Sequence, residues 1–167
     1  MVFAVGGYNK ENGYLKETEV YSIENRQWYK LGDLNVERSK ATACLYDGNV
    51  YVFGGLTNNP QIQEIHAERF NYDNQKWEKI AYSGYDTPFT TNSTPITSLL
   101  PFQNKQNLLF FGGANAVDKT NLVQKVLLKD NSFLIDFKSR VQLQFERESC
   151  VLGLINEDIL ICFGGVR

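Results

Sequence analysis

The side chains that could carry out chemistry are few in this sequence and widely separated. The three cysteines, Cys44, Cys150 and Cys162, each lie in an apolar stretch, which is typical of buried, reduced thiols and not of a disulfide framework. The single histidine, His66, lacks the further His or Cys ligands that zinc and copper sites require. We therefore predict no metal, no cofactor and no Ser-His-Asp or Cys-His nucleophile within this chain.

Two pairs of carboxylates are spaced for acid and base chemistry. Glu17 and Glu19, like Glu146 and Glu148, stand two residues apart, so each pair shares one face of a strand. One carboxyl could donate a proton while the other accepts one. Solvated outer strand faces explain the same spacing more simply, and we predict a protein that is not an enzyme.

Composition excludes several kinds of partner. The chain has 167 residues, is 43% hydrophobic and 22% charged, and carries a formal net charge of -2, which suits one globular domain or one repeat array. This charge provides no attraction to nucleic acid or to an anionic membrane. No apolar run reaches the ~20 residues of a membrane-spanning helix, and the N-terminal residues do not resemble a signal peptide. We expect an intracellular protein, cytoplasmic or cytoskeletal.

An apolar run that ends in two glycines occurs four times, at intervals of about 50 residues, a period typical of a propeller blade with four strands. In phase with it, an apolar or aromatic residue precedes a large aromatic residue by seven positions. The glycine pairs are Gly6-Gly7, Gly54-Gly55, Gly112-Gly113 and Gly164-Gly165, and the spaced pairs are Tyr21/Trp28, Phe70/Trp77 and Val126/Phe133.

A Glu-Arg pair precedes two of the strands, with Arg38 and Arg147 as its arginines. These arginines could bind an anion. Their fixed place in the repeat instead favours bonds to carbonyls or carboxylates between blades.

Together these elements resemble the kelch repeat over essentially the whole chain. The resemblance implies an all-β fold, a partial kelch-type β-propeller of about three four-stranded blades plus split half-blades. The repeat units cover approximately residues 1–34 (partial), 35–85, 86–140 and 141–167 (partial) of one kelch region, residues 1–167. Some kelch-like propellers are oxidases whose copper is held by two histidines and two tyrosines, and a single histidine argues against that activity here.

The best repeat predicts four strands, named A to D from the innermost outwards. They are Lys40 to Tyr46, Val50 to Phe53, Ile65 to Asn71 and Trp77 to Tyr82. The nearly unbroken apolar B strands indicate sheets covered on both faces by neighbouring blades, and we expect Trp28 and Trp77 to fill the space between blades.

The long connections all belong to the B-to-C and D-to-A links, which share one face of the propeller. Long loops on a rigid scaffold commonly bind partners, and this face carries aromatic anchors with a polar rim. The predicted contact residues are Tyr8, Lys10, Tyr14, Tyr85, Asp86, Phe89 and Lys119. Alternatively, these side chains only cap the propeller end or their own loops.

The strand count leaves the ring open, so we expect a fragment, or a chain completed by further polypeptide. A less favoured alternative pairs Ser149 to Phe163 with the first strand. The predicted function is a protein-interaction scaffold in a larger cytoplasmic or cytoskeletal assembly, axonemal assemblies included. A substrate-receptor fragment of a cullin-type ubiquitin ligase is the alternative, and a propeller-based oxidase is the weakest hypothesis.

Overall fold

The computed structural model describes residues 1–58, 67–83, 99–102, 107–111, 121–129, 132–146, 148–154 and 160–166. Within these ranges the chain forms strands and turns without a helix. The strands are β1 (Val2–Asn9), β2 (Gly13–Ser22), β3 (Gln27–Lys30), β4 (Thr42–Tyr46), β5 (Asn49–Phe53), β6 (Ala67–Asn71), β7 (Lys76–Ser83), β8 (Leu99–Phe102), β9 (Asn107–Phe111), β10 (Leu122–Lys129), β11 (Ser132–Gln142), β12 (Glu148–Leu154) and β13 (Leu160–Val166).

Consecutive strands pair antiparallel in four groups, as the repeat predicts. The first blade is β1-β2-β3, the second is β4 to β7, the third is β8 to β11, and β12-β13 form a separate hairpin. In the second blade, strands A, B, C and D correspond to β4, β5, β6 and β7. The predicted all-β propeller architecture is therefore confirmed.

The outermost strands of the second and third blades also pair with each other. Strand β11 runs parallel to β7, with Ser132 opposite Ala81 and Leu134 opposite Ser83. This contact joins the two blades into one eight-stranded sheet. The repeat pattern did not predict this link, because it describes single blades and not the contacts between them.

The turn between β4 and β5 follows the predicted chemistry. Asp47 and Gly48 both have positive φ, 45° and 74°, and residues of these types adopt that conformation at low cost in tight hairpins. In register, Tyr46 lies opposite Asn49 and Thr42 opposite Phe53.

The buried cluster of described residues lies between the first two blades. Its members are Leu34, Val50, Val52, Phe70 and Trp77, with Phe3, Val5, Leu31 and Ala41 packed against them. Phe3 and Val5 come from β1, whereas Val50 and Val52 come from β5. The first two blades thus bury apolar residues against each other, which a single sheet cannot do alone.

Candidate functional site

Trp77 fills the space between two blades, as expected. Its side chain is 4% exposed, its ring centroid lies 5.3 Å from that of Phe70, and its Nε1 donates a hydrogen bond of 3.1 Å to Thr18 Oγ1 of the first blade. Trp28 makes the equivalent contact within its own blade, 5.2 Å from Tyr21, but is 48% exposed. It differs from the expectation because no described element packs on its side of the first blade.

Arg38 links the first two blades. Its main chain bonds to the first blade, where Gly7 N donates to Arg38 O at 2.8 Å and Arg38 N donates to Leu15 O at 2.9 Å. Its guanidinium donates to Gly54 O and to Glu68 Oε1, both at 2.7 Å. The carbonyl and carboxylate partners are of the kind predicted, and both belong to the second blade.

Glu68 receives further hydrogen bonds that compensate its burial. The Asn35 main-chain N and Nδ2 both donate to Glu68 Oε2, at 2.7 and 2.8 Å. A buried carboxylate loses its hydrogen bonds to water. A charged partner and several hydrogen-bond donors replace most of that interaction energy. The arrangement is therefore structural.

The glycine pairs let the segment that connects β3 to β4 approach closely. A Cβ on Gly6 would lie 2.5 Å from Arg38 O, and one on Gly55 would lie 2.7 Å from Ser39 O. Both residues also have positive φ, 61° and 98°, a conformation that favours glycine. Positive φ recurs at Gly7, Gly54, Gly164 and Gly165, whereas Gly112 and Gly113 lie outside the described residues.

Three predicted contact residues form the tip of the β1-β2 hairpin. Tyr8 lies opposite Tyr14 in the ladder, the two rings are 5.6 Å apart in a T-shaped arrangement, and Tyr8 is 62% exposed. Lys10 lies in the connecting loop and is exposed. We call Tyr8, Lys10 and Tyr14 the hairpin rim.

The prediction of a long loop from Tyr8 to Tyr14 is wrong. Strand pairing continues to Asn9 and Gly13, so only residues 10–12 connect the strands. Asn12 N donates to Asn9 Oδ1 at 2.6 Å, which closes the turn. The tyrosines are consequently held on a strand ladder and not on a loop.

The second blade approaches this rim through Asn58, whose Nδ2 would be 3.5 Å from a Cβ on Gly13. Six residues that the sequence singled out lie outside the described residues, namely Tyr85, Asp86, Phe89, Lys119, Arg147 and His66. Phe133 lies opposite Leu128 in the β10-β11 ladder.

The first blade exposes an apolar face that the sequence did not single out. This outer face consists of Val2, Ala4, Tyr21 and Trp28 together with the charged Glu19 and Lys30, all of which cross-strand pairing places on one side of β1-β2-β3. Val2 is 51% exposed, whereas Val50, at the same position before the next glycine pair, is 6% exposed. Aligning the first and second repeats position by position would have identified these residues. The alignment could not show that the second copy is buried and the first is exposed.

The remaining reactive groups among the described residues are cysteines and carboxylates. Cys44 and Cys162 are free thiols, and burial raises the pKa of Cys44 to about 12, so its nucleophilic thiolate is scarce near neutrality. Glu17 and Glu19 are exposed. Within the described ranges, no group of three or more His, Cys, Asp or Glu side chains is placed to hold a metal ion.

An ion pair crosses the face of the second blade that is turned away from the first. Arg69 donates to Glu78 at 2.8 Å, and Asn71 Nδ2 donates to the same carboxylate at 2.6 Å. The Arg69 hydrogen bond, followed by that of Asn71, lowers the pKa of Glu78. The pair orders strands β6 and β7 against each other.

These features define a repeat protein whose four-stranded blades pack face to face, as in a β-propeller. The chain belongs to the kelch-repeat family, because the model of the KLHDC2/KLHL20/DRC7 Kelch-repeats domain matches residues 1–165. In the part of the chain that the structure describes, no helix is long and apolar enough to cross a membrane.

Several known proteins are similar over part of their length. Kelch-like ECH-associated protein 1B of Danio rerio is 30% identical over 84 residues, which are 49% of this chain and 14% of that protein. Kelch-like protein 28 of Homo sapiens is 32% identical over 83 residues, 46% of this chain and 14% of that protein. F-box/kelch-repeat protein At4g19870 of Arabidopsis thaliana is 31% identical over 84 residues, 50% of this chain and 20% of that protein.

The solved structure of YjhT superimposes with a TM-score of 0.75 at 15% identity and covers 98% of this chain and 55% of the YjhT chain. At this level of identity the likeness shows the fold alone. The chain thus spans about half of the YjhT chain.

Proposed function

We propose that this chain is a non-catalytic protein-interaction scaffold that docks within a larger cytoplasmic or cytoskeletal assembly, axonemal assemblies included. The hairpin rim is the observation that carries the proposal. Tyr8 is exposed and packs on the half-buried Tyr14, beside the exposed Lys10. Tyr is enriched at the energetic centres of protein interfaces. Because the pair lies on a strand ladder, binding costs little ordering of the backbone.

A triple variant, Tyr8→Ala with Lys10→Ala and Tyr14→Ala, tests the rim. The native complex is isolated by pull-down and its members are identified by mass spectrometry. We expect the triple variant to lose partners that the unchanged chain captures, while circular dichroism shows a retained fold. Ile23→Ala is the matched control, because Ile23 is exposed at the β2-β3 turn, at the opposite end of β2. Equal capture by all three proteins would contradict the rim as a contact surface.

The proposal includes further contact residues on the same propeller face, namely Tyr85, Asp86, Phe89 and Lys119. The proposed repeat units remain residues 1–34, 35–85, 86–140 and 141–167, of which the second contains Tyr85 and the third contains Asp86, Phe89 and Lys119.

The outer face of the first blade supports a second part of the proposal, that further polypeptide completes the ring. Val2 and Trp28 are half exposed there, whereas their counterparts Val50 and Trp77 are buried against a neighbouring blade. Exposed apolar patches of this kind commonly mark interaction sites. We expect acrylamide quenching of Trp28 fluorescence, measured in Trp77→Phe, to fall when the chain enters its native complex. Unchanged quenching would contradict the proposed cover.

A substrate-receptor fragment of a cullin-type ubiquitin ligase is the second candidate function. The kelch repeats of F-box/kelch-repeat protein At4g19870 support it, because an F-box is a ligase-docking element. Recovery of a cullin in the same pull-down would favour this candidate over a cytoskeletal assembly.

A further inference from the structure

Asparagine side chains hold turns and crossings of this protein through hydrogen bonds. Asn25 Nδ2 donates to the Tyr29 hydroxyl at 3.3 Å, and Asn74 Oδ1 accepts from Lys76 N at 3.0 Å. Short polar side chains commonly bond to nearby groups in this way, which keeps the amide group in one position. Further asparagines that make side-chain hydrogen bonds are Asn9, Asn35, Asn49, Asn71 and Asn121.

Asn12, in the turn between β1 and β2, differs from them. It is exposed, and it contributes its main-chain N to the turn, where Asn9 Oδ1 accepts at 2.6 Å. Among the described residues, neither Asn12 Oδ1 nor Asn12 Nδ2 has a hydrogen-bond partner. The amide group of Asn12 is therefore able to rotate towards its own main chain.

Gly13 follows Asn12, and no other asparagine in the sequence precedes a glycine. Gly13 has a positive φ of 73°, and a Cβ on it would lie 3.5 Å from Asn58 Nδ2, an ordinary contact distance. Because glycine has no side chain, its main-chain N is open to close approach by other groups. The Asn12 amide carbon and Gly13 N are therefore able to meet.

The tip of this hairpin is held by fewer bonds than its base. Arg38 holds the base, where Gly7 N donates to Arg38 O and Arg38 N donates to Leu15 O. Beyond these bonds the ladder continues for two residue pairs, ending at Asn9 and Gly13. The exposed end of a ladder opens locally at low free energy. The backbone of the turn is therefore able to bend as a ring closure between adjacent residues requires.

We infer that Asn12 is a site of covalent modification, at which the chain reacts with itself and then with water, without an enzyme. Gly13 N forms a bond to Asn12 Cγ and loses its proton, while the Cγ–Nδ2 bond breaks and Nδ2 leaves as ammonia. Water then opens the cyclic imide. Cleavage between Gly13 N and Asn12 Cγ gives aspartate, and cleavage between Gly13 N and the main-chain carbonyl carbon of Asn12 gives isoaspartate. Both steps are acyl transfers, so no oxidant or reductant takes part.

The products alter the hairpin rim in two ways. A new carboxylate near Lys10 changes the formal net charge of the chain from -2 to -3. Isoaspartate also inserts one carbon atom into the main chain between Lys10 and Tyr14, which shifts the pairing of Tyr14 with Tyr8. Charge-changing modifications act on binding through such local effects. This consequence, unlike the reaction itself, rests on the proposed function of the rim, and modified chains should lose the partners that the rim binds.

Peptide mapping of the folded full chain, incubated near neutral pH, measures the reaction. Asn12, Asn25 and Asn74 are exposed turn residues and lie in separate tryptic peptides, residues 11–16, 17–26 and 70–76. We expect Asn12 to convert at least about tenfold faster than the other two, because each of those must break a hydrogen bond and is followed by a residue with a side chain. Conversion of Asn12 no faster than either of them overturns the inference.

Asn12→Gln is the matched variant, because glutamine keeps the amide group but has to close a larger ring. Isoelectric focusing should show an acidic species that accumulates in the incubated unchanged chain and not in Asn12→Gln. Asn12→Asp, prepared directly, should migrate with that species. An equal amount of acidic species in Asn12→Gln would place the reaction at another residue and refute the assignment to Asn12.

The effect on the rim is measured by pull-down of the native complex. The unchanged chain, once incubated, should capture less of the partners that the triple rim variant loses. Asn12→Gln, incubated in the same way, should capture as much as the fresh unchanged chain. Equal capture by the two incubated proteins, with Asn12 converted in the first, would contradict the effect on the rim.

The modification and the proposed function fail separately in these experiments. Conversion of Asn12, without any loss of partners in the triple rim variant, would contradict the proposed function and leave the modification site standing. Loss of partners in the triple variant, with Asn12 unreacted in the unchanged chain, would refute the modification site and leave the proposed function standing.

Discussion

The first two blades carry the same repeat residues, yet one copy is exposed and the other is buried. Trp28 and Trp77 each pack on an aromatic residue seven positions earlier, and Glu19 and Glu68 each lie opposite the B strand of their blade. Among the described residues, only the face that carries the second copy has another blade packed against it. The repeat thus determines which side chains lie on a blade face, whereas the neighbouring blade determines what those side chains contribute to stability.

The largest contrast is expected between the two tryptophans. Trp77→Ala should lower the free energy of unfolding by about 3 to 5 kcal/mol, because it opens a cavity in a packed core. Trp28→Ala should lower it by about 1 kcal/mol, mainly through loss of the contact with Tyr21. Urea denaturation followed by circular dichroism measures both. Equal losses of unfolding free energy in the two variants would show that packing against the first blade does not determine the contribution of Trp77.

The two glutamates test the same contrast for charge. Glu68→Ala leaves the Arg38 guanidinium buried without its carboxylate, at a cost of about 3 kcal/mol. Glu19→Ala, at the matching position of the first blade, should change stability by less than about 0.5 kcal/mol, because Glu19 is exposed. Thermal unfolding of the two variants provides the comparison. A large loss in Glu19→Ala would indicate an unrecognised partner.

The smallest expected difference depends on pH and concerns the second blade alone. The lowered pKa of Glu78 means that its carboxylate stabilises the fold above the ordinary value of 4.5, and that this contribution is lost as the pH falls through the lowered pKa. Because the pair is partly exposed, Glu78→Gln should cost only about 0.5 to 1 kcal/mol at pH 7.

The control for that prediction is Tyr29→Ala, because Tyr29 pairs with Val20 at the position where Glu78 pairs with Arg69. Its cost should be the same at pH 7 and pH 4, whereas the cost of Glu78→Gln should shrink as the pH is lowered. A constant cost for Glu78→Gln would contradict the contribution of its charge.

Local sequence patterns predicted the parts of the fold that depend on local chemistry. The pair Gly54-Gly55 marked the end of β5, although β1 continues through Gly6-Gly7 to Asn9. The Phe70/Trp77 spacing placed both rings in one cluster. The exposure of Trp28 and the parallel pairing of β7 with β11 could not be read in this way. Both depend on contacts between blades, and the repeat pattern does not specify those contacts.

The hairpin rim shows a second limit. Tyr8 and Tyr14 were predicted as contact residues on a long loop, because long loops on a rigid scaffold commonly bind partners. Pairing up to Asn9 and Gly13 shortens the turn and places both rings on the ladder. The residue types were informative, but the length of the ladder depended on long-range pairing.

Arg38 has a consequence for how the protein opens. Its main chain is held by Gly7 and Leu15 of one blade, and its guanidinium by Gly54 and Glu68 of the next. Separation of either blade must break bonds to this one residue, so the two blades are expected to unfold as a single cooperative unit. Amide protons of Gly7 and Arg38 should then exchange with solvent at similar free energies of opening, although they belong to different repeats.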